Sequence, residues 1–103
     1  MFHRSSYELQ AFKMLEQMSE VKSYEYEPLL IPYEFENQLY TYIPDILISY
    51  NSGVQEIIEI KPKALVEHKK NLAKFSGLQK YCQENNILSS IWTEDNLFFT
   101  IYK

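Results

Sequence analysis

The sequence predicts a mixed β-sheet covered by helices, which is a small domain of the α/β (or α+β) class. Two segments have apolar residues at helical spacing, three strand-like runs lie between them, and another strand-like run follows the second helix. Because the connections among the first three runs are short, we expect an antiparallel meander there. The second helix is long enough to lead to a parallel neighbour through a right-handed crossover.

Length and composition favour a single domain with a buried core. The chain has 103 residues, of which 46% are hydrophobic and 16% aromatic, and about 100 residues is close to the commonest domain size. One domain over residues 1–103 is therefore predicted. No stretch resembles a signal peptide or reaches the ~20 apolar residues that span a bilayer. We expect a soluble protein of the cytoplasm.

Both helices have recognisable ends. The first is predicted in "HRSSYELQAFKMLEQM", residues 3–18, where apolar side chains recur at every third or fourth position. Ser5 and Glu8 fit a capping box at its start. The second is predicted in "LVEHKKNLAKFSGLQKYCQENN", residues 65–86, with one of its two final asparagines as the C-terminal stop.

The strand-like runs are rich in Tyr, Ile and Val. The first, residues 23–36, contains two prolines, which predict an edge or bulged strand. The next two, residues 39–50 and 54–61, flank the turn "NSG". After the second helix, "ILSSIWTED" (87–95) and "NLFFTIYK" (96–103) indicate two short strands, although the last could be helical.

The two strands around the turn "NSG" carry charged residues where a core strand is usually apolar. If Asn51 to Gly53 form a three-residue loop with Gly53 in the left-handed conformation, Asp45 lies directly opposite Glu59. Side chains alternate along a strand, so Lys61 then emerges on the same face as both acids, and the neighbouring isoleucines on the other. A two-residue loop would shift the register by one and separate the two acids.

Opposed carboxylates repel each other, and a divalent cation removes that repulsion. Mg²⁺ prefers oxygen ligands, often one or two carboxylates together with substrate phosphate and water. Lys61 beside them could orient a water or stabilise charge that develops on phosphorus. Spacing alone leaves two interpretations open: a metal-dependent site for phosphodiester hydrolysis, or a charged cluster on a solvated sheet face.

Charge is distributed unevenly, although the net charge of −4 disfavours a nucleic-acid partner. Residues 23–59 contain seven acids and no lysine or arginine, whereas residues 61–80 contain six lysines and one acid. A charge run is usually a solvated face. This polarity would also let one edge contact phosphates while the carboxylates lie beside it.

The remaining reactive side chains are predicted to be structural. Cys82 is at helical spacing with apolar residues, which indicates a buried thiol. His3 and His68 are isolated, with no His or Cys at metal-ligand spacing, so both are expected at the surface. Most of the nine tyrosines alternate along strands, which favours packing over base stacking.

The dipeptide that ends at Asp45, followed by the tripeptide that begins at Glu59, resembles the PD-(D/E)xK nuclease signature. Six segments occur in an order that resembles TnsA-like transposon endonucleases and the head-completion nucleases of tailed phages: "RSSYE", "IPYEF", "YIPD", "IEIKP", "NLAKFSGLQKYC" and "WTEDNL". The resemblance extends over about residues 3–97. It implies a minimal restriction-endonuclease-like core of order αβββαβ and an Mg²⁺-dependent endodeoxyribonuclease, with Mn²⁺ as a substitute.

Matching positions imply roles for individual residues. Asp45 and Glu59 would bind Mg²⁺ together with the backbone carbonyl of Ile60, and Lys61 would be the catalytic lysine. Glu8 would be an upstream catalytic acid that contacts the metal or its water. Alternatively, Glu8 serves only as the capping-box partner of Ser5.

The resemblance also implies DNA contacts. The candidate residues are Arg4, Lys63, Lys69, Lys70 and Lys74. Arg4 has an ordinary surface arginine as its alternative. On the second helix, Lys74 is preferred to Gln79 as the auxiliary polar residue because the two do not share a helical face well.

Two functions follow as hypotheses. The leading one is an endonuclease that cuts double-stranded or branched DNA, in a bacterium or a phage-infected cell. The alternative is a non-catalytic DNA-binding or assembly subunit, associated with a phage head or a transposase, that uses a nuclease scaffold. Cutting both strands with one small site needs a second copy or a second encounter, which a homodimer or a larger nucleoprotein assembly would provide.

Overall fold

The computed structural model describes residues 6–97, which form an α+β fold with a mixed sheet flanked by helices, as predicted. The elements in chain order are α1 (Ser6–Gln17), β1 (Val21–Tyr26), β2 (Ile31–Phe35), β3 (Gln38–Tyr42), β4 (Ile46–Tyr50), β5 (Gln55–Ile60), a 3₁₀ turn (Lys63–Leu65), α2 (Lys69–Glu84), β6 (Leu88–Trp92) and α3 (Glu94–Leu97).

The main sheet has four strands in the order β1-β4-β5-β6. The β1–β4 and β4–β5 pairs are antiparallel, whereas β6 lies parallel to β5. A parallel neighbour requires a long connection, and α2 supplies it between β5 and β6. The parallel pairing expected from the second helix is therefore confirmed.

The strand boundaries before the turn "NSG" differ from the prediction. The predicted strand 23–36 is interrupted near Pro28, and the predicted strand 39–50 is interrupted near Pro44. The second part of the first and the first part of the second leave the main sheet and form the separate hairpin β2–β3. Its two-residue turn places Glu36 at φ 50° and Asn37 at φ 65°, the left-handed values of a type I′ turn. The predicted meander is thus wrong in detail, because this hairpin is inserted between β1 and β4.

The register of the β4–β5 hairpin agrees with the three-residue loop. The Tyr50 N–H donates to the Val54 carbonyl at 2.9 Å, Gly53 has φ 94°, and Ile46 pairs with Ile58. Extending the same register by one residue places Asp45 opposite Glu59. The predicted geometry of this hairpin is confirmed.

Each face of the main sheet packs against a helix. We call them the α1 face and the α2 face. The buried residues of the α1 face are Ala11, Leu15, Ile46, Ile48, Ile58, Ile60 and Leu97. Those of the α2 face are Ile31, Ile57, Leu78 and Cys82. The position of Cys82 confirms the predicted core thiol.

The end of α2 has the predicted asparagine stop. Asn85 caps the helix, Asn86 takes the left-handed φ of 57°, and the Ile87 N–H donates to the Cys82 carbonyl at 2.9 Å. This 6→1 hydrogen bond is that of a Schellman motif. The helix begins at Lys69, later than predicted, because a 3₁₀ turn precedes it.

Close packing of α2 against β2 depends on Gly77. A Cβ atom at this position would lie 2.5 Å from the Pro32 carbonyl oxygen and 2.7 Å from the Tyr33 Cβ. Real Cβ contacts are never this short without movement of the neighbour. The missing side chain therefore lets the helix approach the inserted hairpin.

The C-terminal elements agree only in part with the prediction. The strand expected over residues 87–95 is present but shorter, as β6, and α3 begins at Glu94, inside the predicted strand. The rest of the last predicted strand, residues 98–103, lies outside the described residues, as does His3. His68 is exposed, as expected. No helix within residues 6–97 is long and apolar enough to cross a membrane.

Candidate active site

The Asp45 carboxylate is held at the start of β4 by two backbone contacts. Its main-chain carbonyl accepts the Glu27 N–H at 2.9 Å, and its Oδ2 accepts the Ile60 N–H at 2.6 Å. The preceding Pro44 is buried, which fixes the direction of the chain as it enters the strand. The side chain is therefore tied to the end of β5, where the "EIK" tripeptide lies.

Glu59 is the buried charged residue of the described core, with only 4% of its surface exposed. Its Oε2 is 3.7 Å from the Lys61 Nζ, and its Oε1 is buried without a hydrogen-bond partner. Residues in paired register point to the same side of a sheet, so Glu59 and Asp45 share the α2 face. The structure thus brings together the two acids and the lysine.

The electrostatics of the pair favour a proton or a cation. Burial and the charge of Asp45 raise the pKa of Glu59 to about 8, against the opposing effect of Lys61. Burial likewise raises the pKa of Asp45 to about 6, although the Ile60 N–H lowers it. Two adjacent carboxylates cannot both ionise easily in such surroundings.

Glu8 approaches the site from α1. A cleft of about 480 Å³ lies between the start of α1 and the ends of the central strands. Its lining residues are Ser6, Tyr7, Glu8, Asp45, Ile60, Lys61 and Pro62. The Glu8 charge contributes to the raised pKa of Asp45. The upstream acid is therefore on the same cleft as Asp45, while its capping partner Ser5 lies outside the described residues.

The segment that follows Lys61 is fixed by α3. The Lys63 N–H donates to Glu94 Oε1 at 2.8 Å, and the Lys63 Nζ is 3.0 Å from Asp95 Oδ2. Glu94 also interacts with the Tyr7 hydroxyl. Sequence reasoning missed Glu94, although "WTED" was among the matching segments, because its partner is thirty-one positions away.

The predicted DNA-contacting lysines lie in different settings. Lys63 is engaged with Asp95, and Lys69 and Lys70 are exposed at the start of α2. The Lys70 Nζ is 5.1 Å from the Tyr40 ring centroid. The Lys74 Nζ is 5.5 Å from that of Tyr42, and its charge lowers the pKa of Glu59.

Two further residues considered from the sequence are Arg4 and Gln79. Arg4 lies outside the described residues. Gln79 is exposed on α2 and lines a groove beside β6 rather than the cleft of Asp45.

Tyr42 is a polar residue of the site that sequence reasoning assigned to packing. Its hydroxyl is buried without a hydrogen-bond partner. Burial, and then the charges of Glu59 and Asp45, raise its pKa strongly. The only sequence signal was its position three residues before Asp45, because the contact depends on how the inserted hairpin folds back.

The donor set fits a hard divalent cation with few protein ligands. Asp45 and Glu59 offer two carboxylates, and Glu59 Oε1 is a buried acceptor with nothing bound to it in the protein. Mg²⁺ commonly uses only one or two carboxylates. Residues 6–97 contain no group of three or more His, Cys, Asp or Glu side chains at metal-binding spacing. The site therefore fits a cation that takes the rest of its ligands from substrate and water.

The mixed sheet flanked by helices is consistent with a small nuclease core of the PD-(D/E)xK class. Residues 18–94 match the family model described as TnsA-like endonuclease N terminal. Because the match covers most of the chain, this protein belongs to that family. No curated protein matches it. The matched range includes both acids and the lysine, whereas α1 with Glu8 precedes it.

Proposed function

We propose that this chain is an Mg²⁺-dependent endonuclease that hydrolyses phosphodiester bonds in double-stranded or branched DNA. The observation that carries the proposal is the buried carboxylate of Glu59 beside Asp45 and Lys61, two residues that line an open cleft. Two acids on the buried side of a sheet lower the stability of the fold. Residues that break the rules for a stable core in this way are expected at functional sites. Membership of a TnsA-like endonuclease family supports the same reading.

Each residue has a separate role in the proposal. Asp45 and Glu59 would hold Mg²⁺, or Mn²⁺ in its place, with the Ile60 carbonyl, and Glu8 would contact the metal or its water. The cation, when bound, would polarise a phosphate oxygen of the DNA and make a bound water more acidic. The Lys61 ammonium would orient the attacking water and offset the negative charge that develops on the phosphate oxygens.

Nicking of supercoiled plasmid tests the proposal. With Mg²⁺ present we expect Lys61→Ala to lower the nicking rate by about 10²-fold or more, and EDTA to abolish it. Lys22→Ala, an exposed lysine on β1, is the matched control and should cut at the wild-type rate. Nicking that survives both EDTA and Lys61→Ala would discard the proposal.

DNA would lie along the start of α2. Lys69 and Lys70 are exposed there. The Lys74 Nζ lies over the Tyr42 ring, and its charge lowers the pKa of Glu59, so a phosphate backbone could be held close to the acids. Lys63 would add to this surface, while Arg4, outside the described residues, stays a proposed phosphate contact from the sequence. The logarithm of the DNA-binding constant, plotted against the logarithm of the salt concentration, has a slope that reports the number of phosphate contacts. Lys70→Ala should reduce the magnitude of this slope by about one unit. Lys80→Ala, exposed near the other end of α2, should leave the slope unchanged.

A second candidate function is a subunit that binds DNA without cutting it, in a transposase or phage-head assembly. It is favoured by the hydrogen bond from the Ile60 N–H, which occupies one oxygen of Asp45, Oδ2. The two functions separate in one experiment. Binding without turnover, unaffected by Asp45→Ala, would support the subunit.

A double-strand break requires two hydrolytic events. We propose that a homodimer or a larger nucleoprotein assembly supplies them, in the cytoplasm of a bacterium or a phage-infected cell. Sedimentation with and without a DNA duplex would detect this: two copies on one duplex support the assembly, and a strict one-to-one complex that still makes double-strand breaks contradicts it.

A further inference from the structure

Tyr42 has a buried hydroxyl in a cationic and aromatic setting. The ring packs edge-on against Tyr33, with centroids 5.7 Å apart, and the Lys74 Nζ lies 5.5 Å from its centroid. These contacts hold the ring at the end of β3, three residues before Asp45. The hydroxyl oxygen itself is buried and has no hydrogen-bond partner.

Within residues 6–97, two buried side-chain polar atoms lack a partner, and they belong to the same cluster. One is the Tyr42 hydroxyl and the other is Glu59 Oε1. Glu59 is the charged group that acts most strongly on that hydroxyl, and Lys74 lies close to both residues. Buried polar groups without partners are rare and call for an explanation such as a bound water or ion.

The two atoms are complementary. A phenol donates one hydrogen bond, and a carboxyl oxygen without a proton accepts hydrogen bonds whether or not the other oxygen of the group is protonated. Carboxylates that ligate metals are usually fixed by further hydrogen bonds from neighbouring groups. Among the described side chains, Lys61 approaches Glu59 Oε2, which leaves Oε1 without such support.

We propose that Tyr42 is a positioning residue for Glu59, to which its hydroxyl is joined through one bridging water. The Tyr42 O–H donates to the water, and the water donates to Glu59 Oε1. This bridge would fix the rotamer of the carboxylate before a cation binds. The inference rests on the proposed function, since it gives Tyr42 a purpose only if Glu59 is a ligand.

Replacement of Tyr42 by Phe removes the hydroxyl and keeps the ring. We expect the affinity for Mn²⁺ alone, measured by isothermal titration calorimetry, to fall about 10-fold. We expect the thermal midpoint of the metal-free variant to change little, because Phe keeps the ring and its packing against Tyr33. A residue that served packing alone would not change metal affinity while preserving the midpoint.

Tyr40→Phe is the matched control. Tyr40 lies on the same strand with Lys70 over its ring, but its hydroxyl donates to Gln38 at 2.9 Å outside the site. Its Mn²⁺ affinity should equal that of the wild type. Equal affinity in Tyr42→Phe would overturn the inference.

Failure of the inference and failure of the proposed function give different results. If Tyr42→Phe binds Mn²⁺ like the wild type while Mg²⁺-dependent nicking persists, the inference alone is overturned. If no preparation nicks DNA but Mn²⁺ affinity falls in Tyr42→Phe, the bridge is supported and the hydrolytic function is not. A wild type that binds no Mn²⁺ overturns both.

Discussion

The two faces of the central hairpin have opposite compositions, although they alternate along the same two strands. On the α1 face, Ile46, Ile48 and Ile58 are completely buried among other hydrocarbon side chains. On the α2 face, the hydrophobic pair of Leu47 and Ile57 is followed at the strand ends by acids and the Tyr42 hydroxyl. One pair of strands thus supplies stability through one face and a chemical site through the other.

The difference also has an energetic side. Each buried polar group without a partner costs about 1–3 kcal/mol, and both such groups within residues 6–97 lie on the α2 side. The α1 face offsets that cost by burying aliphatic side chains, each of which contributes about 1.5–3 kcal/mol. Truncating an aliphatic side chain of the α1 face should therefore lower stability, whereas neutralising the buried acid Glu59 on the α2 face should not.

The largest expected effect is on the α1 face. Ile58→Ala should lower the free energy of unfolding by about 2–5 kcal/mol, because it leaves a cavity in a fully buried layer. Urea denaturation measures this, with the 82% exposed Leu39→Ala as control, which should change stability by less than about 0.5 kcal/mol. Equal losses in the two variants would contradict the contrast between core and surface.

The two buried acids predict that the stability of the fold decreases as the pH rises. Carboxylates that are stabilised in their ionised form by the fold have the opposite effect. Burial raises the pKa of Glu59 from 4.5 to about 8 and that of Asp45 from 3.8 to about 6. Between those limits the folded state retains protons that the unfolded state has released. The contribution of these two acids to the stability of the metal-free protein should therefore be greatest below about pH 4, and roughly a few kcal/mol of it should be lost as the pH rises to 8.

Glu59→Gln sharpens this prediction. Without the ionisable group, most of the decline between pH 6 and 8 should disappear, while the exposed Glu34→Gln should follow the wild type. Denaturation in EDTA across the pH range tests it. A wild-type stability that rises from pH 5 to 8 would show that the two acids are not buried as described.

A smaller effect is expected where α2 meets the inserted hairpin. Gly77→Ala places a methyl group within 2.5 Å of the Pro32 carbonyl oxygen, and overpacking of this kind costs about 1–3 kcal/mol. The exposed neighbour Ser76→Ala is the control and should be neutral or slightly stabilising. A Gly77→Ala variant of wild-type stability would mean that the hairpin separates easily from the helix.

The smallest effect is expected outside both faces. Lys63 and Asp95 are 3.0 Å apart, but their side chains are 68% and 50% exposed. Such surface pairs contribute about 0–1 kcal/mol and are screened by salt. Asp95→Ala should therefore change the free energy of unfolding by less than about 1 kcal/mol, and the difference should shrink in 1 M salt. A larger, salt-independent loss would show that this pair anchors α3.

Much of the fold could be predicted because its signals are local. Helical spacing located α1 and α2, and the glycine of "NSG" with the alternation of Asp45 and Glu59 determined the register of the central hairpin. The inserted hairpin β2–β3 was missed because its left-handed turn is made by Glu36 and Asn37 rather than by glycine. Tertiary packing against α2 compensates for that strain.

The site was predictable only where its residues lie on adjacent strands. The relation of Asp45, Glu59 and Lys61 follows from one loop length, so counting residues was sufficient. Tyr42 and Glu94 reach the site through elements that pack far from their place in the sequence, and no local pattern marks such contacts. For the same reason, the pairing of Lys63 with Asp95 could not be foreseen from a run of lysines.

The number of residues in the connection Asn51–Gly53 determines which face of the sheet each side chain of β4 and β5 lies on. Exchanging Ser52 for another residue changes an exposed side chain and its hydrogen bond from the Val54 N–H, whereas removing it would turn every side chain of one strand to the other face. Turning β4 over would move Asp45 to the α1 face, away from Glu59. Among related chains, this connection should therefore vary freely in composition, yet lengthen or shorten only by an even number of residues.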